Sequence, residues 1–162
     1  MRILGIDPGL NITGYGLIDY DSGQVVIGEA GVIRGERGAM STRVTRIHSD
    51  LVDLIASEKP EVVAIEELYS HYRQPRTAIL MAHARGVICL AAGQHGIPVE
   101  SYSATQVKRL MTGNGRASKS QMQAAVCREL QLDAIPEPHD VADALAIALT
   151  HAFLQREVSI SK

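Results

Sequence analysis

Four carboxylates in this chain fall where secondary structure should begin or end. Asp7 closes the apolar run Ile3, Leu4 and Ile6 and is followed by Pro8 and Gly9, so it sits where a short buried strand stops and a turn begins. Gly9 and Gly14 would let the backbone pass close to whatever Asp7 holds. Glu66 ends a second apolar run with Glu67 beside it, and because side chains alternate along a strand only one of the two can face the same way as Ala64. Asp140 and Asp143 are three apart in a helical pattern, about 60° from each other around the axis, and are expected in its first turn. An ordinary helix cap explains one of them, not two on one face. Four carboxylates brought together without a counterion would repel and some would take up protons. With Mg²⁺ or Mn²⁺ they stay charged as hard oxygen ligands. No Ser-His-Asp or Cys-His arrangement offers a covalent nucleophile in their place.

The elements that must position these groups alternate between strand and helix. Residues 2–8 and 13–20 pair like a hairpin, and Asp21-Ser22-Gly23 turns the chain into a third strand, 24–33. Residues 34–38 form a polar link to a helix capped by Ser41 or Thr42, whose apolar positions recur to about Ser57 before Pro60. A strand over 61–65 delivers Glu66 at its end. The helix 75–94 has almost no polar face, so a second subunit is expected to cover what the sheet does not. A strand over 99–102, a helix capped by Ser103, a break at Gly113-Asn114-Gly115, a helix begun by Ser118 and a final helix from His139 to Phe153 complete the chain. The pattern predicts an α/β domain with a mixed five-stranded sheet flanked by helices.

The 162 residues, 46% hydrophobic, suffice for one core, so a single domain over 1–155 is expected, with a frayed tail over 156–162. Cys89 and Cys127 lie in helical patterns without metal-like spacing and read as buried thiols of a reducing compartment. The first strand begins at once, leaving no room for a signal peptide, and no apolar run is long enough to span a membrane. A soluble cytoplasmic protein is expected. The net charge of −2 argues weakly against a polyanionic partner, but it hides a division. Residues 68–128 carry Arg73, Arg76, Arg85, Lys108, Arg109, Arg116, Lys119 and Arg128 against the single acid Glu100, a net of +7, which leaves −9 for the rest. That is the distribution of a nucleic-acid-binding face on an otherwise acidic protein.

Over nearly its whole length the chain resembles the RuvC family of Holliday junction resolvases. The matching stretches are GIDPG at 5–9, TGYG at 13–16, AIEE at 64–67, ARGV at 84–87, QVK at 106–108, KSQ at 119–121 and DVADALAIALTH at 140–151. The resemblance implies a ribonuclease-H-like fold, a homodimer, and Mg²⁺-dependent nicking of two opposed strands of a four-way DNA junction in recombination and repair. It also implies the RuvA-RuvB branch-migration complex as a partner. Residue by residue, it assigns the acidic tetrad to Asp7, Glu66, Asp140 and Asp143, and places Tyr69 where the family usually has a phenylalanine contacting bases near the crossover. Lys108 and Lys119 fall on its basic positions near DNA, and Arg73, Arg76 and Arg116 are further candidates for DNA contact. Glu67 departs from the glutamine common at its position, and the chain is less basic overall than many members. In some relatives a histidine replaces the third carboxylate; here Asp140 is present, and His139 reads as a helix-start residue supporting it.

The chemistry implied is hydrolysis of a phosphodiester with two metal ions per site, Asp7 shared between them and Lys119 available to stabilise the transition state. Another branched nucleic acid is an alternative substrate, and a non-catalytic DNA-binding module a less favoured reading. D-P-G-x-x-x-x-G also resembles the phosphate loop of actin-like phosphotransferases, which generally close two related domains over nucleotide, whereas this chain has room for one.

Overall fold

The computed structural model describes residues 1–68 and 75–160. Five strands form one sheet in the order β3-β2-β1-β4-β5, where β1 is Arg2–Asp7, β2 Ile12–Asp21, β3 Gln24–Arg34, β4 Val62–Glu66 and β5 Val99–Tyr102. The first three make an antiparallel meander, turned by Ser22 and Gly23 at positive φ, while β4 and β5 run parallel to β1. Parallel neighbours need crossovers, and the helices supply them. The mixed five-stranded sheet of the sequence reading is thus present.

Five helices cover the two faces: α1 (Met40–Glu58), α2 (Pro75–Gln94), α3 (Ala104–Thr112), α4 (Lys119–Leu130) and α5 (His139–Ile160). Alternation along the strands divides the core. Leu4, Ile6, Leu17, Val63 and Ile65 pack with α1 and α2 on one face, while Ile3, Ile18, Val62 and Ala64 pack with α3, α4 and α5 on the other. Each of the large side chains fully buried here contributes roughly 1.5–3 kcal/mol.

Several boundaries differ from the sequence reading. Helix α1 starts earlier, with Ala39 at its N-cap and no capping side chain, so neither Ser41 nor Thr42 holds that role. Both lie inside its first turn. Helix α5 continues to Ile160, past the Phe153 end read from its apolar pattern, since no glycine or proline interrupts the backbone hydrogen bonds there. Helix α4 follows expectation in detail: Ser118 accepts from the Gln121 N–H, and the Gln121 side chain accepts from the Ser118 N–H. The two cysteines are free and half-buried, not fully buried. Among the described residues, no helix is long and apolar enough to cross a membrane.

Candidate metal-dependent active site

The carboxylates meet at one end of the sheet. Asp7 is the last residue of β1 and Glu66 the last of β4; Ile6 pairs with Ile65, so the two acids follow side by side on strands about 4.8 Å apart. Ile6 and Ile65 face α1 and α2, and alternation turns Asp7 and Glu66 to the α5 face, the side of Ala64. Glu67 is exposed, and its N–H donates to the Tyr102 carbonyl at 2.9 Å, so Glu66 is the member of the pair that enters the site.

Helix α5 brings the other two acids over that strand end. On β2, Gly14 stands opposite Asp7, and a β-carbon added to Gly14 would lie 2.1 Å from the Asp140 carbonyl oxygen. Glycine here is required by the approach of α5, not by a group held at Asp7 as the sequence reading had it. Gly9 lies close to the Ile12 carbonyl and shapes the hairpin tip. Asp140 is in the first turn of α5, but Asp143 lies beyond it because the helix begins at His139. His139 Nε2 is 3.9 Å from an Asp140 carboxylate oxygen, beside that acid as the sequence suggested.

Electrostatics follows from this crowding. Burial, and then the fields of Asp143, Glu66 and Asp140, push the Asp7 carboxyl up to about 7, with Lys119 opposing. Glu66 is raised by burial and by Asp143, with Lys108 pulling the other way. Asp143 is raised mainly by burial and eased by Lys119, His139 and Lys108. A site that pushes Asp7 up to about 7 and raises two of its neighbours as well has an excess of negative charge and only oxygen donors. That set fits a hard divalent cation. Among the described residues no three His, Cys, Asp or Glu side chains are drawn up as a closed ligand group, so the four acids are neighbours rather than a finished coordination shell. A cavity of 210 Å³ opens beside them, lined by Glu66, Lys108, Met122 and Asp143 among others.

Of the predicted basic residues, Lys108 and Lys119 stand close enough to act on the acids. Arg76 and Arg116 are exposed and form no ion pair among the described residues. Tyr69 and Arg73 lie outside the described residues. Two members of the supposed basic face are spoken for: Arg128 pairs with Glu129 at 3.1 Å, and Arg85 turns inward. Arg85 donates to the Glu66 carbonyl and to the Ser101 hydroxyl, each at 2.8 Å, tying α2 to the ends of β4 and β5. Sequence reasoning counted Arg85 as a surface charge. The available signal was its place in the middle of an otherwise apolar helix, where a lone guanidinium needs acceptors.

A profile of the family described as "Crossover junction endodeoxyribonuclease RuvC" matches residues 3–151. A protein of that name from Rhodopirellula baltica is 54% identical over 153 residues, covering 94% of this chain and 86% of the relative. The Gloeobacter violaceus protein of the same name is 47% identical over 155 residues, 94% of this chain and 88% of its own. Among solved structures, Thermus thermophilus RuvC in complex with Holliday junction substrate is 36% identical with a TM-score of 0.90, over 97% of this chain and 96% of that one.

Proposed function

This chain belongs to the RuvC family of crossover junction endodeoxyribonucleases, and from that premise we propose that it resolves four-way DNA junctions by hydrolysing two opposed strands in a symmetric homodimer. The observation carrying this reading is the convergence of the acids: Asp7 and Glu66 end adjacent strands on the α5 face, and Gly14, opposite Asp7, admits the Asp140 end of α5. Such crowding destabilises a protein that has no cation to place there, and serves one that binds divalent metal.

Asp7, with Glu66 on one side and Asp140 and Asp143 on the other, would hold Mg²⁺, or Mn²⁺ in its place, as two ions in each site. When bound, the ions supply an activated water and positive charge against the charge that builds on a phosphodiester during cleavage. The protein does the positioning. Arg85 fixes the backbone at Glu66, Gly14 admits α5 so that Asp140 and Asp143 overhang Asp7, and His139 stands beside Asp140. Lys119, at the start of α4, and Lys108 put positive charge beside the acids, where the phosphoryl oxygens of a bound strand would lie. Tyr69 follows Glu66 by three residues and would stack on a base at the junction centre, contributing about 1–3 kcal/mol. Tyr69→Ala should then slow cutting of a closed junction more than of one with loosened central pairing.

The homodimer reading draws support from α2, whose outer stripe includes Ile79 at 58% and Leu90 at 54% exposure with Gly86 and Gly93 between and beyond them. At Gly86 and Gly93 an added β-carbon would meet nothing within 4 Å, so another helix could come close. Two related sites answer a substrate with two equivalent strands to cut. The family resemblance adds the RuvA-RuvB complex as partner and the cytoplasm as the place of action.

The test is Mg²⁺-dependent cleavage of a four-way junction compared with matched duplex, fork and single strand. Preference for the junction, abolished by Asp7→Asn with binding retained, is the expected result. Preference for another branched form would move the substrate assignment, and loss of binding together with cleavage in a folded Asp7→Asn protein would mark Asp7 as a binding determinant instead.

A further inference from the structure

Among the basic residues counted in the sequence, Lys108 lies beside Glu66, on the helix that follows β5. The other side of the sheet end is basic too, in a stretch whose charge the overall acidity of the remaining chain concealed. Residues 34–46 contain Arg34, Arg37, Arg43 and Arg46 with Glu36 as their one acid. Arg46 is committed to Asp50 at 2.9 Å. Arg34 and Arg37 are exposed and have no ion pair among the described residues, and Arg43 has none either.

Register places Arg34 relative to the site. It ends β3 opposite Ile12, while Asp7 lies opposite Gly14 on the same middle strand. Arg34 is therefore two strands over and two residues further toward the hairpin tip, which at about 4.8 Å per strand and 3.4 Å per residue separates the two Cα atoms by roughly 12 Å. Its neighbour Ile33 packs with α1, so alternation turns Arg34 to the α5 face, the face of Asp7 and Glu66. Arg43 comes from the opposite face. It reaches over from α1 to donate through Nη2 to the Asn11 side-chain oxygen, and its Nε is buried without a partner among the described residues. The Asn11 carbonyl accepts from the Gly35 N–H at 2.9 Å, so the residue after Arg34 and the side chain of Arg43 meet at one tip residue, four positions beyond Asp7. Just behind them α1 begins with no acidic residue in its first turn and no capping side chain; Ser41 and Thr42 are exposed there and share a surface hollow with Glu36.

We propose that Arg34 and Arg43, linked through Asn11 at the β1–β2 tip, bind the phosphate backbone of the cleaved strand on the β3 side of the scissile phosphate, across the acids from Lys108. The proposal rests on the junction-cutting reading and adds to it a positioning contact. A nucleic-acid strand rises about 3.4 Å per nucleotide in duplex form, so a separation of this size reaches a phosphate a few nucleotides from the one being cut. With cations on both sides, the strand is held at two points with the reacting phosphate between them. Such a clamp fixes register without reading sequence.

Single methylphosphonates, which remove one backbone charge, are placed at each of the three phosphates on either side of the cut. Binding to these junctions is measured for the Asp7→Asn protein alone and with R34A, R43A or R43K added. For the parent, one position on the β3 side should weaken binding about three- to tenfold, and R34A or R43A should weaken binding to the unmodified junction by a similar factor. Combining that modification with R34A or R43A should cost little more than either alone, and the double substitution R34A/R43A should flatten the salt dependence by about 0.9 units of slope. R43K keeps the charge and should bind closer to the parent, separating charge from any effect on α1. Unchanged binding by R34A and R43A, or losses that multiply at every methylphosphonate position, overturns the proposal. Failure of the parent to bind a junction in preference to duplex overturns the underlying reading instead.

Discussion

Helices α2 and α5 are both long and both apolar around nearly their whole circumference, yet the fold treats them differently. In α5 every residue from Ala144 to Ala152 is buried, including Thr150 and His151, whereas α2 leaves Ile79 and Leu90 in solvent. The difference comes from the sheet. Gly5, Gly14 and Gly16 face α5, and β-carbons there would lie 2.2 Å from the Ala144 carbonyl oxygen, 2.1 Å from the Asp140 carbonyl oxygen and 2.6 Å from Leu145. The helix therefore lies directly on backbone, with α3 and α4 along its flanks. Among the described residues no such glycine seam receives α2, which packs through Ala84, Ile88, Ala91 and Ala92 against α1 and the other face of the sheet and leaves Ile79 and Leu90 outward. One helix is apolar because the protein closes over it. The other is apolar, on the reading proposed above, because a second copy does.

The contrast can be broken most severely at the α5 seam. Gly14→Ala must displace the first turn of α5, and a shift of about 1 Å in the acids should reduce junction cleavage by at least about 100-fold. A cleavage assay beside a thermal melt checks this; activity within a few fold of the parent would mean that the seam does not set the acids. Next in size is the α2 stripe. Ile79→Glu with Leu90→Glu should give a folded monomer at micromolar concentration by sedimentation, with paired cutting replaced by single nicks, while Leu149→Glu in α5 should unfold the chain. A double variant that remained dimeric would move the interface elsewhere.

Arg85 is where the contrast is not complete, since α2 there contributes to the site. Arg85→Ala should lower kcat about tenfold with KM little changed, as expected of a residue that positions Glu66 without touching DNA. A pure KM effect would return Arg85 to the DNA-binding face.

The smallest expected effect concerns pH. Asp7 in the folded protein holds a proton up to about pH 7 that the unfolded chain releases near 3.8, so this group's contribution to stability falls as pH rises through that interval and is level above it. The ceiling is about 4 kcal/mol at 1.36 kcal/mol per pKa unit, reduced by the coupling to Glu66 and Asp143, which shift in the same direction. His151 opposes the trend: burial lowers its pKa, so its contribution is lost as pH falls below the ordinary histidine range. Asp7→Asn isolates the carboxylate part. Without divalent ions, the parent's melting temperature should drop more between pH 5 and 8 than that of Asp7→Asn, and Mg²⁺ should raise it more at pH 8. Equal pH profiles would remove Asp7 from the charged cluster.

Much of this was legible in the sequence because the signals were local. Strand-ending Asp7 and Glu66, the Ser103 and Ser118 caps and the three-residue spacing of Asp140 and Asp143 are facts of neighbouring residues, and the matched family motifs joined them into one site. What stayed hidden depends on register and packing. Alternation could put Glu66 on the face of Ala64, but only pairing with β1 shows that Asp7 ends the neighbouring strand beside it. A glycine seam cannot be told from turn glycines until α5 is laid against it. Arg85 and Arg34 exchanged apparent roles for the same reason: one basic residue within the positive stretch faces inward to two acceptors, and one outside it ends β3 on the α5 face of the sheet.

Arg85 also ties α2 by side-chain hydrogen bonds to two strands that already pair with each other. A single guanidinium spans from α2 to the Glu66 carbonyl on β4 and the Ser101 hydroxyl on β5, with 2.8 Å at each contact. A fork of this kind is stiff where a lysine would swivel. A rotation of α2 caused by covering or uncovering its outer stripe would be delivered to the backbone that carries Glu66. On the dimer reading proposed above, assembly and the placement of Glu66 would be two readings of one lever, and Arg85→Lys, which retains the charge and gives up the fork, would uncouple them.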